Sequence, residues 1–389
     1  MRVVYSIGSR LAGGGIGTTA WHAARGIFRA GHLARLFCLG TEPTDIPADI
    51  IRSFWFPSRR YLRLPVMHYW WLKDRSFDRR AARHLPDAFS VFHGWNSHCL
   101  ACLGRAREQG AVTFVERGSA HASVQGRLLA EEHERFGLAR PATMARLIAR
   151  CVAEYDAADY VHVPSSFCRD SFLTAGFPAE KVVQSPYGVD LARFRPTPPP
   201  SRFTALFVGE IGLRKGVLDL LDAWARLRLS DSRLVLLGGI ESAAARLVAS
   251  YRRRCECEVP GFTSDVAAAY ADCSVLVLPA IEDGFPLVVL EAMASGRPVI
   301  VSENTGSKDL IEDGVHGFVV PIRSPDAIAE KLQWLHDHPV EREAMGAAAR
   351  RQAESFPWER HGRDLVALYS LSLGERVGVR DPEPGGPPS

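Results

Sequence analysis

Short apolar runs rich in β-branched residues alternate with helix-length segments along most of the chain, and no other feature restricts the fold as strongly. RVVYSI, LARLFCL, FSVFHG, AVTFVE, YVHVP and KVVQSP are mostly separated by stretches such as residues 18–30 and 96–109 that are long enough for a helix. That alternation describes a parallel sheet whose strands are joined by crossover helices. The rhythm restarts at residue 203 with FTALFVG and continues through RLVLLGG, SVLVLP, RPVIVS and GFVVP. The expected fold class is α/β, with two Rossmann-like parallel-sheet domains facing each other across a cleft. A length of 389 residues agrees, being too long for one ordinary core and suited to two.

Between the two series lies RPTPPPS, Arg195 to Ser201, where consecutive prolines enforce a stiff extended segment that neither a helix nor a central strand accepts. The reading therefore gives an N-terminal domain over 1–195, a linker over 196–201 and a C-terminal domain over 202–355. A helical pattern over 356–373 could cross back to the first domain, and 374–389 reads as a disordered tail. A formal net charge of +3 is small for this length and gives no reason to expect nucleic acid as a partner. The opening MRVVYSIGSRL lacks a signal peptide's long apolar core, and no run approaches about 18 uninterrupted apolar residues, so the expectation is a cytoplasmic protein. The eight cysteines include a CxxC, Cys99 and Cys102 beside His98, and a CxC, Cys255 and Cys257. Without a second pair at zinc-site spacing, both read as packed thiols.

The stretch from Leu278 to Ile300, LPAIEDGFPLVVLEAMASGRPVI, reads as strand end, loop and helix, with Pro286 placed to open the helix. Freed amides at that helix start, with the positive end of the dipole, form a seat for a phosphate. Glu291 then stands among Leu287, Val288, Val289, Leu290 and Met293, where an unpartnered carboxylate is costly. A vicinal diol would suit it, and a structural arginine is the alternative. A second stretch, FVGEIGLRKGVLDLLDAW from Phe207, ends a strand at Gly209 and sets Arg214 and Lys215 at a helix start near Gly216. Cations there oppose the dipole, so either a bound diphosphate compensates them or they are solvated surface charges.

In the first domain RLAGGGIGTTA holds Gly13, Gly14, Gly15 and Gly17, and GIGTTA matches the dinucleotide fingerprint G-x-G-x-x-A, with Glu42 near the end of the second strand. An NAD(P)-dependent oxidoreductase is therefore an alternative reading. Against it, SRLAGG separates the fingerprint from its strand, which makes Gly14 and Gly15 part of a flap able to close over a donor's phosphates or an acceptor. Glu116, Arg117, Ser119 and His121 follow strand AVTFVE, at the sheet edge where such folds bind ligands, and His93 ends the strand before. Both histidines read either as catalytic groups or as polar liners. Residues 52–75 hold six Arg or Lys against one Asp, interleaved with Trp55, Phe56, Tyr61, Tyr69, Trp70 and Trp71. That mixture fits an anionic membrane surface, a sugar platform or nucleic acid, with an ordinary amphipathic packing segment as the alternative.

At VGEIGLRKG, EDGFPLVVLEAMASGRPVIVSENTG, DGVHGFVVPI and FPWERHG, and again at EYDAADYVHVPSSF with SPYGVDLARFRP, the chain resembles glycosyltransferase family 4, the retaining group with the GT-B fold. The resemblance implies transfer of a hexose-type sugar from a UDP- or GDP-sugar to a glycan, lipid or small-molecule acceptor. Glu291 becomes the second acid of the E-x7-E motif, holding the donor ribose, and Asp283 the first, preceded by Glu282. Arg214 and Lys215 correspond to the basic pair at the donor diphosphate, beside Gly209. Gly284 and Phe285 would present amides to the donor, with Pro286 and Leu287 adjoining. Many members carry an arginine where this chain has Glu210. Candidate catalytic residues are His121, Asp283, Arg214 and Lys215. Candidate donor contacts are Gly14, Gly15, Gly209, Arg214, Lys215, Glu282 to Leu287 and Glu291. Candidate acceptor-side residues are His93, Glu116, Arg117, Ser119 and His121. No D-x-D pair occurs in the chain, and neither a metal nor a cofactor is expected. A nucleotide-sugar binding module and an epimerising relative are the remaining alternatives.

Overall fold

A computed structural model describes residues 1–62, 66–139 and 144–378. Seven short strands form the first sheet: β1 (Val3–Ser6), β2 (Leu33–Cys38), β3 (Ile51–Ser53), β4 (Val91–Trp95), β5 (Val112–Glu116), β6 (Tyr160–Val163) and β7 (Val182–Gln184). Their order is β3-β2-β1-β4-β5-β6-β7. Six more form the second: β8 (Phe203–Val208), β9 (Ser232–Leu237), β10 (Glu258–Gly261), β11 (Val275–Leu278), β12 (Val299–Ser302) and β13 (Gly317–Val320), in the order β10-β9-β8-β11-β12-β13. Pairings in both sheets are parallel, including β1 with β2 and β4, and β8 with β9 and β11. The expected α/β architecture of two Rossmann-like parallel sheets is therefore what the chain adopts.

Burial explains why these runs are strands. Every residue of β1, β4, β5, β8, β11 and β12 is buried, as central strands covered by helices on both faces require. The edge strands β3 and β10 are half-buried to exposed and correspondingly short. Both orders reverse direction once, between β1 and β4 in the first sheet and between β8 and β11 in the second. At such a switch point the connecting segments leave the strand ends on opposite faces and open a crevice for ligands. The loops it exposes in the second sheet begin at Gly209 and Pro279, and in the first at Ile7 and Asn96.

By contacts the chain divides into one unit of Met1–Glu116, Ala149–Val161 and His361 onward, and another of Arg117–Ile148 and His162–Arg360. The proline-rich residues 196–200 are irregular, between β7 and β8 in sequence. The last helix is Trp358–Gly378. It runs beyond residue 373, so the tail expected from 374 is helical for its first five residues, and 379–389 lie outside the described residues. From His361 it packs in the first unit, where a Cβ on Gly26 would meet the Gly362 backbone at 2.6 Å. Among the described residues no helix is long and apolar enough to cross a membrane.

Candidate functional site

The second sheet's switch point gathers most of the charged residues singled out in the sequence. After β8 the chain makes a 3-10 turn, Leu213–Lys215, and enters the helix Val217–Arg226 through Gly216. Gly216 has φ 66°, and a Cβ on it would sit 1.9 Å from the Pro279 carbonyl oxygen at the end of β11. Only glycine meets both conditions, which locks the turn onto the neighbouring strand's loop. The Arg214 carbonyl accepts the Ile281 N–H at 2.9 Å, a second stitch between the loops. Glu241 completes the turn by accepting the Leu213 N–H at 3.1 Å.

Arg214 and Lys215 thus lie in the 3-10 turn, separated from the helix by Gly216 rather than inside its first turn, and the chain supplies their anions. Arg214 Nη1 donates to the Glu282 carbonyl at 3.1 Å and lies 3.5 Å from its Oε2, and Lys215 is ion-paired with Asp283. Neither reading made from sequence, a bound diphosphate or solvated surface charges, included these carboxylates, which neutralise the cations locally. Burial works against the Arg214 charge, but Asp283, Glu282 and Glu210 hold its pKa above the ordinary value. Burial lowers that of Lys215, with Arg214 adding to it and Asp283 opposing. The Arg214 side chain keeps 31% exposure against 12% for Lys215, so the arginine is the cation a ligand reaches more readily.

Glu282 is fully buried and ties three segments together. Its two carboxylate oxygens accept the Ala120 N–H at 2.9 Å and Gln125 Nε2 at 2.7 Å, while Arg214 lies on the other side. Arg117 braces the same loop through the Ala120 carbonyl at 2.9 Å and Gln125 Oε1 at 2.8 Å. A Cβ on Gly284 would meet the Gly118 carbonyl oxygen at 2.3 Å and Ser119 Cα at 2.6 Å, so this glycine is required by close approach. Ser165 Oγ donates to the Gly284 carbonyl at 2.7 Å. Arg117, Ser119 and His121, expected on an acceptor side, are thus on a loop packed against the Glu282–Gly284 loop. His121 caps the helix Ala122–Arg135: its Nδ1 accepts the Ser123 N–H at 3.3 Å, and its ring stands edge-on to Phe172 at 4.9 Å.

Phe285 is buried, its ring edge-to-face with Tyr187 at 5.5 Å. Pro286 is the N-cap of the helix Leu287–Ala294, one residue earlier than the opening position expected, and no side chain caps that start. Its first-turn amides therefore have no side-chain acceptor, the condition under which a helix start receives a ligand anion. Glu291, on the same helix, accepts the Tyr270 hydroxyl at Oε2, 2.8 Å away. Burial raises the Glu291 pKa, with Tyr270 and then Arg193 opposing. Tyr270, itself fully buried, escaped sequence reading because it occupies an ordinary apolar position of the helix Val266–Ala271.

His93 and Glu116 have a different fate. Both are fully buried in the first sheet. His93 lies between Tyr369 Oη at 2.7 Å and Glu116 Oε2 at 3.1 Å, and Tyr5 donates to the same carboxylate oxygen at 3.1 Å. Groups with no accessible surface cannot touch an acceptor, so the expectation for these two is corrected: they belong to an internal polar network. Gly14 and Gly15 are exposed on the loop after β1, where no atom lies within 4 Å of a Cβ added to either. Glu42, which a dinucleotide reading needs for a ribose, is paired with Arg10 at 2.8 Å.

Two family patterns match the chain: "Glycosyltransferase Family 4" over residues 13–193 and "Glycosyl transferases group 1" over 189–352. Among curated relatives, the D-inositol 3-phosphate glycosyltransferase of Actinosynnema mirum is 30% identical over 322 residues, 75% of this chain and 74% of that protein. The protein of the same name from Geodermatophilus obscurus is 29% identical over 76% of this chain and 70% of that protein. For the one from Kineococcus radiotolerans, 31% identity covers 52% of this chain and 55% of that protein, so the match spans little more than half of some relatives' length. Among solved structures, sucrose-phosphate synthase from Thermosynechococcus elongatus has a TM-score of 0.72 at 20% identity, covering 96% of this chain and all of that one, 100%. Anabaena HepE in complex with UDP-glucose gives 0.68 at 15% identity, over 95% of this chain and 100% of that one. These folds, the family patterns and the identity to curated relatives agree with one another and displace the oxidoreductase reading: the chain belongs to glycosyltransferase family 4 and is a glycosyltransferase of the GT-B type.

Proposed function

We propose that this glycosyltransferase is a retaining enzyme that takes a hexose-type sugar from a UDP- or GDP-sugar and binds that donor at the switch point of its second sheet. One observation carries the reading. Arg214, Lys215, the uncapped helix start at Leu287 and the half-buried Glu291 all belong to the loops after β8 and β11 or the helix that follows. A nucleotide diphosphate presents matching chemistry, a diphosphate for the cations and amides and a ribose diol for the carboxylate. Relatives support the choice of donor, since HepE binds UDP-glucose.

In this reading Glu291 accepts two ribose hydroxyls, with Tyr270 holding the carboxylate. Arg214 and Lys215 stabilise the charge that develops on the leaving diphosphate, exchanging part of their contact with Glu282 and Asp283 for the phosphates. Asp283 adjoins the sugar, and the loop carrying His121 sets the acceptor against it. The acceptor attacks from the face the diphosphate leaves, so an α-linked donor gives an α-linked product. Protein cations take the part that a divalent ion has in enzymes with a D-x-D pair, which this chain lacks. Of the segment 52–75, residues 63–65 lie outside the described residues; an acceptor on a lipid would be approached at Trp55 and Trp70, which are 75% and 45% exposed.

Thermal-shift measurements with UDP, GDP, ADP, dTDP and NADH test the donor class. Stabilisation by UDP or GDP above the other three is expected, and stabilisation by NADH alone would contradict it. Proton NMR of the product tests retention, and a β-linked product from an α-linked donor removes that part of the reading.

A further inference from the structure

Six of the eight cysteines are buried, and two are not. Cys255 and Cys257 occupy the segment between the helix Ala245–Arg252 and β10, where the backbone bends at Cys255. They follow three consecutive arginines, Arg252, Arg253 and Arg254. Arg254 is committed to Asp222 at 2.7 Å, whereas Arg252 lines a cavity with Cys257 and favours its thiolate. Both cysteines line an open cavity of about 590 Å³ together with Trp224, Arg228 and Arg254, and a second of about 430 Å³ with Arg252 and Arg253. The packed-thiol reading made from sequence therefore holds for Cys99 and Cys102, fully buried with their thiols pushed up by burial, and fails for this pair.

We propose that Cys255 and Cys257 form a redox-active dithiol, with Cys257 the thiolate that a hydroperoxide oxidises and Cys255 the thiol that resolves it into an intraloop disulfide. Reactive cysteines need three things together: a stabilised thiolate, access for the oxidant and a partner within reach. The arginines that line the cavities with the pair favour the first, the open cavities supply the second, and two cysteines two residues apart on one cavity wall bring the third. The neighbouring Cys255 thiol brings the Cys257 pKa down to about 6 against the opposing effect of burial, with Arg252 adding to the lowering. Cys257 in turn, with burial, raises that of Cys255, whose thiol lies 3.9 Å from the Tyr251 carbonyl.

The step balances. Cys257 thiolate attacks the terminal oxygen of the hydroperoxide, the O–O bond breaks, and the departing oxygen takes up a proton as water or alcohol. Cys257 becomes a sulfenic acid. Cys255 sulfur then attacks Cys257 sulfur, the S–O bond breaks, and the Cys255 proton leaves with the hydroxyl as water. Two thiols have lost two electrons to one peroxide. This chemistry is independent of the donor site.

Peroxide titration of the full chain at pH 7, followed by intact mass, alkylation and peptide mapping, tests it on wild type, Cys255→Ser and Cys257→Ser. Expected in wild type is the loss of two hydrogens, located to one disulfide between Cys255 and Cys257, while the six buried thiols alkylate only after unfolding. Cys255→Ser should stop at sulfenic or more highly oxidised Cys257, and Cys257→Ser should leave Cys255 reduced. At pH 6 a thiol of this acidity has far more thiolate than an ordinary one near 8.5. Allowing for the weaker nucleophilicity of a more acidic thiol, iodoacetamide should modify Cys257 about tenfold faster than free glutathione. Alkylation of Cys257 no faster than glutathione overturns the proposal. So does a pair that stays reduced under peroxide while both thiols remain open to alkylation.

Discussion

The two switch points of this chain are built from the same topology and furnished in opposite ways. In the second sheet the loops after β8 and β11 carry two cations and two paired carboxylates, and the helix that follows carries a half-buried glutamate held by a tyrosine. In the first sheet the polar residues turn inward: His93 in the middle of β4 and Glu116 at the end of β5 bond each other, Tyr5 and Tyr369, and the loop after β1 offers exposed glycines. A charged, pre-positioned site suits a ligand whose recognised part never varies, such as a nucleotide diphosphate. The charges at this edge, Lys73 on the Gly8 carbonyl and Glu154 on the amides after β4, are spent on the backbone, which leaves recognition to other loops. The difference explains why a donor chemistry can be argued from these residues and an acceptor cannot.

The comparison breaks most visibly at Arg214. Arg214→Ala is expected to slow transfer by roughly ten- to a thousand-fold, the range for losing one group that stabilises developing negative charge. Lys215→Ala should fall lower in that range, because Lys215 is the less exposed of the two. Wild-type rates for both, read from released nucleotide diphosphate, would reduce the charged edge to a structural salt-bridge cluster. Glu291→Gln should cost about 1.5–3 kcal/mol of nucleotide binding, about ten- to a hundredfold in affinity, with the melting temperature little changed.

Acidity sharpens the same point. Only ionised Glu291 can accept two hydroxyl donors, and burial raises its pKa. Donor KM should therefore climb on acidification starting at a higher pH than an ordinary glutamate gives. Tyr270→Phe removes a hydrogen bond that lowers this pKa, so the rise should begin at a still higher pH, with kcat at neutral pH affected less than KM. An unchanged pH profile in Tyr270→Phe would separate Tyr270 from donor binding. The smallest effect on activity belongs to the first sheet. His93→Ala breaks an internal network and should lower stability by about 1–3 kcal/mol in urea unfolding while acceptor KM stays within twofold. A selective loss of acceptor KM would return His93 to the acceptor side.

What the sequence disclosed, it disclosed through period and punctuation. Alternating β-branched runs and helix-length segments sufficed for both parallel sheets, because fully buried strands such as β8 and β11 leave continuous apolar signatures. The helix carrying Glu291 was legible because a carboxylate among aliphatic residues demands a partner. Its partner was not, since Tyr270 resembles any packed aromatic until the fold aligns it. Arg214 and Lys215 were visible as cations before a helix, but their pairing with Glu282 and Asp283 depends on the β8–β11 adjacency that only topology supplies. Likewise the sequence placed His93 at a strand end, whereas it lies in the middle of β4, and Glu116, which does end β5, is as fully buried as His93. Cys255 and Cys257 were misjudged for the reverse reason, because cysteine composition says packing while their segment is half-exposed.

The most direct test of the central claim is calorimetric titration of UDP and GDP into the protein with EDTA in excess, repeated on Arg214→Ala and Glu291→Gln. Saturable binding of one nucleotide should persist in EDTA and weaken about tenfold or more in each variant. Binding that vanishes in EDTA, returns with magnesium and is unchanged in both variants would contradict the account.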